Sequence, residues 1–113
     1  MLSKKYRFHS RGGVKYVYRH GKTIRRPELS LVFCDNDHKK TRFAVVVSKK
    51  VNKSAVGRNR IRRRVYEAIR LNLDKTKQPR DYIFVVYNRN IKDMSFPELQ
   101  KLVRSLIGES MLQ

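Results

Sequence analysis

Residues 53–64 read KSAVGRNRIRRR. At about 100° per residue, Ile61 shares one side of a helix with Val65 and Ile69, so we expect that side to pack into a core. Ser54 stands where the N-cap of this helix should be. The opposite side carries Asn59, Arg63, Tyr66 and Arg70, with Arg60 and Arg62 on its flanks. The spacing therefore predicts a helix with one apolar face and one cationic face.

Little negative charge accompanies the cationic face. Glu67 is the only acid in the helix. It lies three or four residues after Arg64 and Arg63, so it can pair with either of them, but it cannot neutralise all the arginines of the cationic face. The helix should run to about Leu73, before residues 74–79 break it. Because the planar guanidinium of arginine suits phosphate oxygens and can stack on bases, this face predicts an RNA-binding surface. A membrane surface is disfavoured, since the apolar face is narrow and lacks Trp or Phe.

The positive charge is concentrated in two segments of the chain. The net charge is +19, and residues 1–26 hold nine Lys and Arg with no acid. Residues 49–80 hold twelve Lys and Arg against two acids, whereas residues 27–48 and 81–113 are balanced. This distribution indicates two walls of one binding surface rather than general solubilisation.

The length of 113 residues predicts a single domain over residues 1–113, with an extended basic arm at residues 1–8. Cys34 is the only cysteine, so no intramolecular disulfide can form and a cytoplasmic location is expected. No apolar stretch is long enough to span a bilayer, and the N-terminus has no signal-peptide core. We therefore expect no membrane partner.

Three apolar segments predict strands. Residues 28–34 and 41–51 flank a turn at residues 35–37, which predicts a hairpin. Residues 43–47 and 82–87 are apolar throughout, as in strands that are covered on both faces. The cationic helix connects these two strands, and a connection of that length usually joins parallel neighbours with a right-handed crossover. A parallel pair is therefore predicted.

Two further helices are predicted near the ends of the chain. The first follows Ser10 as a cap, carries Val14 and Tyr18 on one face, and ends at Gly21. The last begins near Ser95, which stands in capping-box spacing with a glutamate three residues later. The predicted order of elements is therefore α-β-β-α-β-α.

The sequence around the cationic helix resembles a known family. VSKKV at residues 47–51, followed by KSAVGRNRIRR at residues 53–63 and by Glu67, closely resembles the signature of the bacterial ribonuclease P protein subunit. An aromatic helix ending in glycine at residues 18–21 and DYI at residues 81–83 support a resemblance over nearly the whole chain. It implies an α+β fold, a two-layer α/β sandwich like domain 2 of a ribosomal protein, with the cationic helix in a left-handed crossover between parallel strands.

The resemblance also implies a division of labour. The protein would hold the RNA subunit with the cationic helix and the loop before it, and the RNA subunit would carry out Mg²⁺-dependent hydrolysis. A cleft between the first helix and the sheet would receive the single-stranded 5′ leader of precursor tRNA. The implied RNA contacts are Lys49, Lys50, Lys53, Arg58, Asn59, Arg60, Arg62 and Arg63, and Arg70 continues the same face. The implied leader cleft contains Tyr18, Val14 and Arg7.

Two details of the resemblance concern single residues. The resemblance implies that this block of residues contacts RNA or helps to organise metal ions near it; the metal site itself is unknown, and Asn59 is the candidate. The family commonly has Phe where this chain has Val14, so a neighbour such as Tyr16 would have to supply that stacking surface.

The sequence does not predict intrinsic nuclease activity, and no catalytic residue is assigned. The nine acids lack the clustering that a two-metal nuclease needs, and His9, His20 and His38 lack the spacing of a zinc site or a catalytic triad. A ribosomal protein or a general RNA chaperone remains an alternative, since either could share the charge, size and fold. A DNA partner is disfavoured because so many arginines would crowd the major groove and no dimerisation signal sets half-sites.

Overall fold

The computed structural model describes residues 2–8, 11–36, 40–73 and 79–113. The described ranges leave out His9, Ser10, His38 and the helix-breaking residues 74–78, together with Asp37 of the turn predicted at residues 35–37. The described elements of the chain follow in this order: a 3₁₀ turn (Lys4–Tyr6), α1 (Arg11–His20), β1 (Lys22–Arg25), β2 (Leu29–Asp35), β3 (Arg42–Val47), α2 (Ala55–Arg70), β4 (Arg80–Val86), a further 3₁₀ turn (Arg89–Lys92) and α3 (Phe96–Ser110).

The four strands form one sheet in the order β1-β2-β4-β3. Strands β3 and β4 pair in parallel, which confirms the prediction for the strands on either side of the cationic helix. The predicted hairpin between β2 and β3 is wrong, because β4 lies between them and pairs antiparallel with β2. The helical crossover is long enough to bring β4 into the sheet centre, where a strand that is apolar on both faces is best buried.

Strand β1 was not predicted from the sequence. It pairs antiparallel with β2 at the edge of the sheet, and Ile24 is its only buried residue. Four residues with one buried side chain give too short an alternation to distinguish a strand from a loop.

The sheet has a hydrophobic core on each face, because alternate strand residues point to opposite sides. The larger core lies under α2 and α3 and includes Phe43, Tyr82, Phe84, Val65 and Leu106. The smaller core lies under α1 and contains Phe8, Val17, Val32, Ala44 and Ile83. The predicted two-layer arrangement describes the larger core, and α1 adds a partial layer on the other face.

Residues 2–8 pack against the domain and do not form the expected extended arm. After the first 3₁₀ turn, Arg7 forms a parallel bridge with Phe43 at the outer edge of β3. Leu2 and Phe8 are both buried. Burial of a large apolar side chain stabilises a fold by about 1.5–3 kcal/mol, and that explains why this basic segment is held against the domain.

The apolar face of α2 is as predicted except at Tyr66. Ile61, Val65 and Ile69 are buried, whereas Tyr66, which was assigned to the cationic face, is only 6% exposed. Its position borders the apolar stripe, and a ring of this size reaches into the core from there. The Arg7 guanidinium lies over this ring, 5.5 Å from its centroid.

Candidate nucleic-acid interface

The cationic surface predicted on α2 is present in the structure. The helix begins as expected, with the Ser54 hydroxyl accepting a hydrogen bond from the Gly57 N–H at 3.3 Å, and it ends at Arg70 rather than near Leu73. Most of the predicted RNA-contacting side chains are exposed, and we call them the α2 surface: Lys49, Lys50, Lys53, Asn59, Arg60, Arg63 and Arg70. The two other predicted contacts, Arg58 and Arg62, are half-buried.

Arg58 and Arg62 are engaged within the protein. Nη1 of Arg58 donates to the backbone carbonyls of Asn52 at 3.0 Å and Lys53 at 2.9 Å. Arg62 donates to the side-chain oxygen of Asn59. Arg58 therefore orders the loop that precedes the helix, which sequence reasoning did not predict.

The loop before α2 depends on a close approach between Asn52 and Gly57. The Asn52 side-chain oxygen accepts a hydrogen bond from the Ser54 N–H at 2.9 Å. A Cβ atom at position 57 would lie 2.1 Å from Asn52 Nδ2 and 2.5 Å from its Cγ, so only glycine leaves room for this amide. The glycine thus lets the loop close against the first turn of the helix.

Arg64 connects α2 to the segment before α3. Its guanidinium donates to the carbonyl oxygens of Ile91 at 3.2 Å and Met94 at 2.6 Å. Position 64 lies one helical turn from the buried Ile61 and Ala68, so its long side chain can run along the edge of the core and reach these carbonyls. The sequence places Arg64 at the border of the apolar face, but it does not reveal the accepting carbonyls, which lie 27 and 30 residues further along the chain.

The negative charge nearest to the α2 surface is taken up at the end of the helix. Glu67 pairs with Arg70, with Nε to Oε1 at 2.9 Å, and not with Arg63 or Arg64 as the spacing had suggested. This hydrogen bond is the largest of the interactions that lower the pKa of Glu67 to about 2, and it raises the pKa of Arg70. Within the described residues, the other cations of the α2 surface form no ion pair. The surface therefore keeps an uncompensated positive charge.

A groove of about 310 Å³ opens beside α1 on the face of the smaller core. Its lining residues are Tyr18, Thr23, Arg25, Ser30, Val32, Val85 and Tyr87. Tyr18, predicted for the leader cleft, is 46% exposed, and partial burial raises the pKa of its hydroxyl. The floor is formed by Val32 and Val85, so the groove combines an apolar base with aromatic and cationic walls.

The other two residues predicted for the cleft do not line this groove. Val14 packs against the smaller core and is half-buried. Arg7 lies at the outer edge of β3 over the Tyr66 ring, next to α2. The structure therefore brings Arg7 towards α2 and leaves Tyr18 as the only predicted residue in the groove.

Sequence reasoning missed the residues that face Tyr18 across the groove. Tyr87 is 42% exposed and directly follows β4, where the two-residue alternation places it on the same face as Val85. That alternation could have identified it. Arg25 belongs to β1, which the sequence did not reveal.

No three His, Cys, Asp or Glu side chains of the described residues are grouped so that they could hold a metal ion. Asn59 is exposed, and its side-chain oxygen accepts a hydrogen bond from Arg62. None of the helices in the described ranges is long and apolar enough to cross a membrane.

Comparisons with known proteins agree on one family. The family profile described as Ribonuclease P matches residues 2–110. The ribonuclease P protein component of Clostridioides difficile is 36% identical over 91 residues, covering 80% of this chain and 79% of the relative. That of Clostridium botulinum (strain Loch Maree) is 38% identical over 97 residues, covering 85% and 86%. The fold matches that of a Staphylococcus aureus RNase P protein mutant with a TM-score of 0.84 at 23% identity, covering 96% of this chain and 90% of that one.

Proposed function

The chain belongs to the ribonuclease P protein family, and from this premise we propose how its surfaces serve the enzyme. As the protein component, it is a subunit of a ribonucleoprotein endoribonuclease. We propose that the α2 surface binds the RNA subunit and that the groove beside α1 holds the single-stranded 5′ leader of precursor tRNA. The observation that carries this proposal is the presence of two unlike surfaces on one small domain, one cationic and one aromatic.

The α2 surface suits a folded RNA backbone. Arginine side chains on a rigid helix present planar forks that bind phosphate oxygens through two hydrogen bonds at once, while the lysines of the preceding loop add point charges. If about six phosphates are neutralised, the slope of log affinity against log salt should be roughly −4 to −5, from about 0.7–0.9 per phosphate.

The groove suits an unpaired strand of variable sequence. Tyr18 and Tyr87 offer rings on which bases can stack, and each stacked base contributes on the order of 1–3 kcal/mol with little sequence preference. Arg25 at the edge strand can meet a leader phosphate. This combination would let the protein accept leaders of many sequences.

Hydrolysis of the phosphodiester bond is assigned in this proposal to the RNA subunit, with Mg²⁺ as the ion that it uses. The residues of this chain bind and orient the two RNAs. We place the assembled particle in the cytoplasm, together with its precursor tRNA substrates.

Reconstitution tests this proposal. A bacterial ribonuclease P RNA is incubated at low Mg²⁺ with precursor tRNA that carries a 5′ leader, with and without the protein. We expect efficient cleavage only when both components are present. If several RNA subunits show no dependence on the folded protein, the proposed function is wrong, and selective binding to ribosomal RNA would instead identify a ribosomal protein.

The groove is tested with two tyrosine variants. Tyr18→Ala should weaken binding of the leader-bearing substrate to the holoenzyme by about 5–150-fold, equivalent to 1–3 kcal/mol, and leave the affinity for mature tRNA unchanged. The sequence suggested Tyr16 as a substitute stacking surface, but Tyr16 does not line the groove. Tyr16→Ala is therefore the matched control, because Tyr16 is 56% exposed on the same helix and packs on His20. Equal losses on both tRNAs, or equal losses in both variants, would contradict the placement of the leader.

A further inference from the structure

A second, smaller pocket of about 170 Å³ lies between α2 and the 3₁₀ turn at Arg89–Lys92. Its lining residues are Asn52, Gly57, Arg60, Ile61, Arg64 and Lys92. Only Arg60 of this set was predicted to contact RNA. The pocket therefore adds a face to the α2 surface that the sequence pattern did not indicate.

Hydrogen bonds hold the two sides of this pocket together. The Arg64 guanidinium binds the carbonyls of Ile91 and Met94, which flank Lys92 in the chain. Arg89 Nε donates to the carbonyl of Lys50 at 3.2 Å and ties the same turn to the loop before α2. These contacts make the position of Lys92 beside Arg60 a product of the fold rather than of a mobile loop.

The pocket offers several donors and no carboxylate. Arg60 and Lys92 are exposed, and neither forms an ion pair within the described part of the chain. The oxygen of the Asn52 amide accepts a hydrogen bond from the Ser54 N–H, and the NH2 group of the same amide supplies two further donors. Asp93 follows Lys92 in the sequence but does not line the pocket.

We infer that this pocket binds one phosphate group of the RNA subunit, held by the Arg60 fork, the Lys92 ammonium and the Asn52 amide. The inference rests on the proposed function, because it extends the RNA-binding surface of α2 onto the 3₁₀ turn. A phosphate group matches this chemistry, since a guanidinium supplies two parallel hydrogen bonds and an ammonium supplies charge. The buried side chain of Ile61 forms an apolar part of the same lining.

The test measures affinity of the full-length protein for ribonuclease P RNA over a range of salt concentrations. Lys92→Ala should weaken binding roughly tenfold and make the slope of log affinity against log salt shallower by about 0.7–0.9, the value for one phosphate contact. Lys101→Ala is the matched control, because Lys101 is an exposed lysine on α3 outside the pocket. Thermal unfolding of both variants checks that the fold is retained.

A double variant tests whether the two cations share one phosphate. Loss of affinity in the variant carrying both Arg60→Ala and Lys92→Ala should be clearly smaller than the product of the single losses. Strictly multiplicative losses, or a Lys92→Ala variant that behaves like Lys101→Ala, would overturn the inference. So would a Lys92→Ala variant that loses only binding of inorganic phosphate, because the pocket would then serve a free anion. If the wild-type protein itself fails to bind the RNA, the proposed function fails instead.

Discussion

Replacement of Gly57 by alanine should separate stability from RNA binding. The new Cβ would lie 2.1 Å from Asn52 Nδ2, 2.5 Å from Cγ and 2.8 Å from Oδ1, so the whole amide must move. All three atoms belong to one side chain, and a rotation of Asn52 relieves the clash without displacing α2. The change should therefore disturb the loop before the helix and leave the core unchanged.

The expected stability of Gly57→Ala follows from two opposing contributions. Rotation of Asn52 breaks its hydrogen bond to the Ser54 N–H, which costs about 1 kcal/mol. Alanine in place of glycine in a helix gains about 0.5–1 kcal/mol. The free energy of unfolding should therefore stay within about 1 kcal/mol of that of the wild type. Affinity for the RNA subunit should fall roughly tenfold, because the Asn52 amide would no longer donate a hydrogen bond to the charged phosphate.

Denaturant unfolding and RNA binding at fixed salt are measured on the same preparations. Gly108→Ala provides the control, because a Cβ at this exposed position in α3 has no neighbouring atom within 4 Å. The free energy of unfolding of this control should rise by about 0.5–1 kcal/mol, because alanine favours the helix more than glycine does, and its RNA affinity should equal that of the wild type.

Two results would refute the reasoning about Gly57. Wild-type RNA affinity in Gly57→Ala would show that the position of the Asn52 amide is irrelevant to binding. A loss of more than about 3 kcal/mol in the free energy of unfolding would show that the backbone, not one side chain, absorbs the clash.

Three further predictions concern single side chains. Arg64→Ala should lower the free energy of unfolding by about 2–3 kcal/mol in denaturant, because two backbone carbonyls lose a charged donor, whereas Arg63→Ala should change it by less than about 0.5 kcal/mol. Tyr82→Phe should be neutral or raise the melting temperature, since the buried Tyr82 hydroxyl has no hydrogen-bond partner among the described residues. The pKa of Glu67 is lowered to about 2, so its contribution to stability should be complete above about pH 5 and lost as the pH falls towards 2. Melting curves of Glu67→Gln and wild type should accordingly differ by a constant amount above pH 5 and converge in acid.

The sequence was sufficient to predict features that depend on neighbours along the chain. The Ser54 cap, the apolar stripe of α2 and the two apolar strands at its ends depend on local spacing, and the structure has all of them. The cap at Ser95 is also as predicted, with its hydroxyl accepting from the Glu98 N–H at 3.3 Å. Such features involve one helix or strand at a time, and periodicity reports on them directly.

Features that depend on distant partners were not predictable in this way. The insertion of β4 between β2 and β3 depends on which strand gains most from central burial, and spacing in the sequence does not encode that choice. The same holds for Arg64, whose acceptors are brought to it by the packing of α3 on α2. Five arginines lie between residues 58 and 64, and sequence alone could not distinguish those that bind carbonyls from those that remain exposed.

The arrangement of the two proposed RNA-binding surfaces follows from the sheet. Helix α2 packs on the larger core, whereas the groove with Tyr18 opens on the face of the smaller core, so the strands separate the two surfaces. Central strand β4 contributes Phe84 to one core and Ile83 to the other. In the proposed function, a rigid sheet between them would keep the leader at a constant position relative to the RNA subunit. The distance from the leader to the cleavage site would then be fixed by the core of the protein. It would be the same for leaders of every sequence.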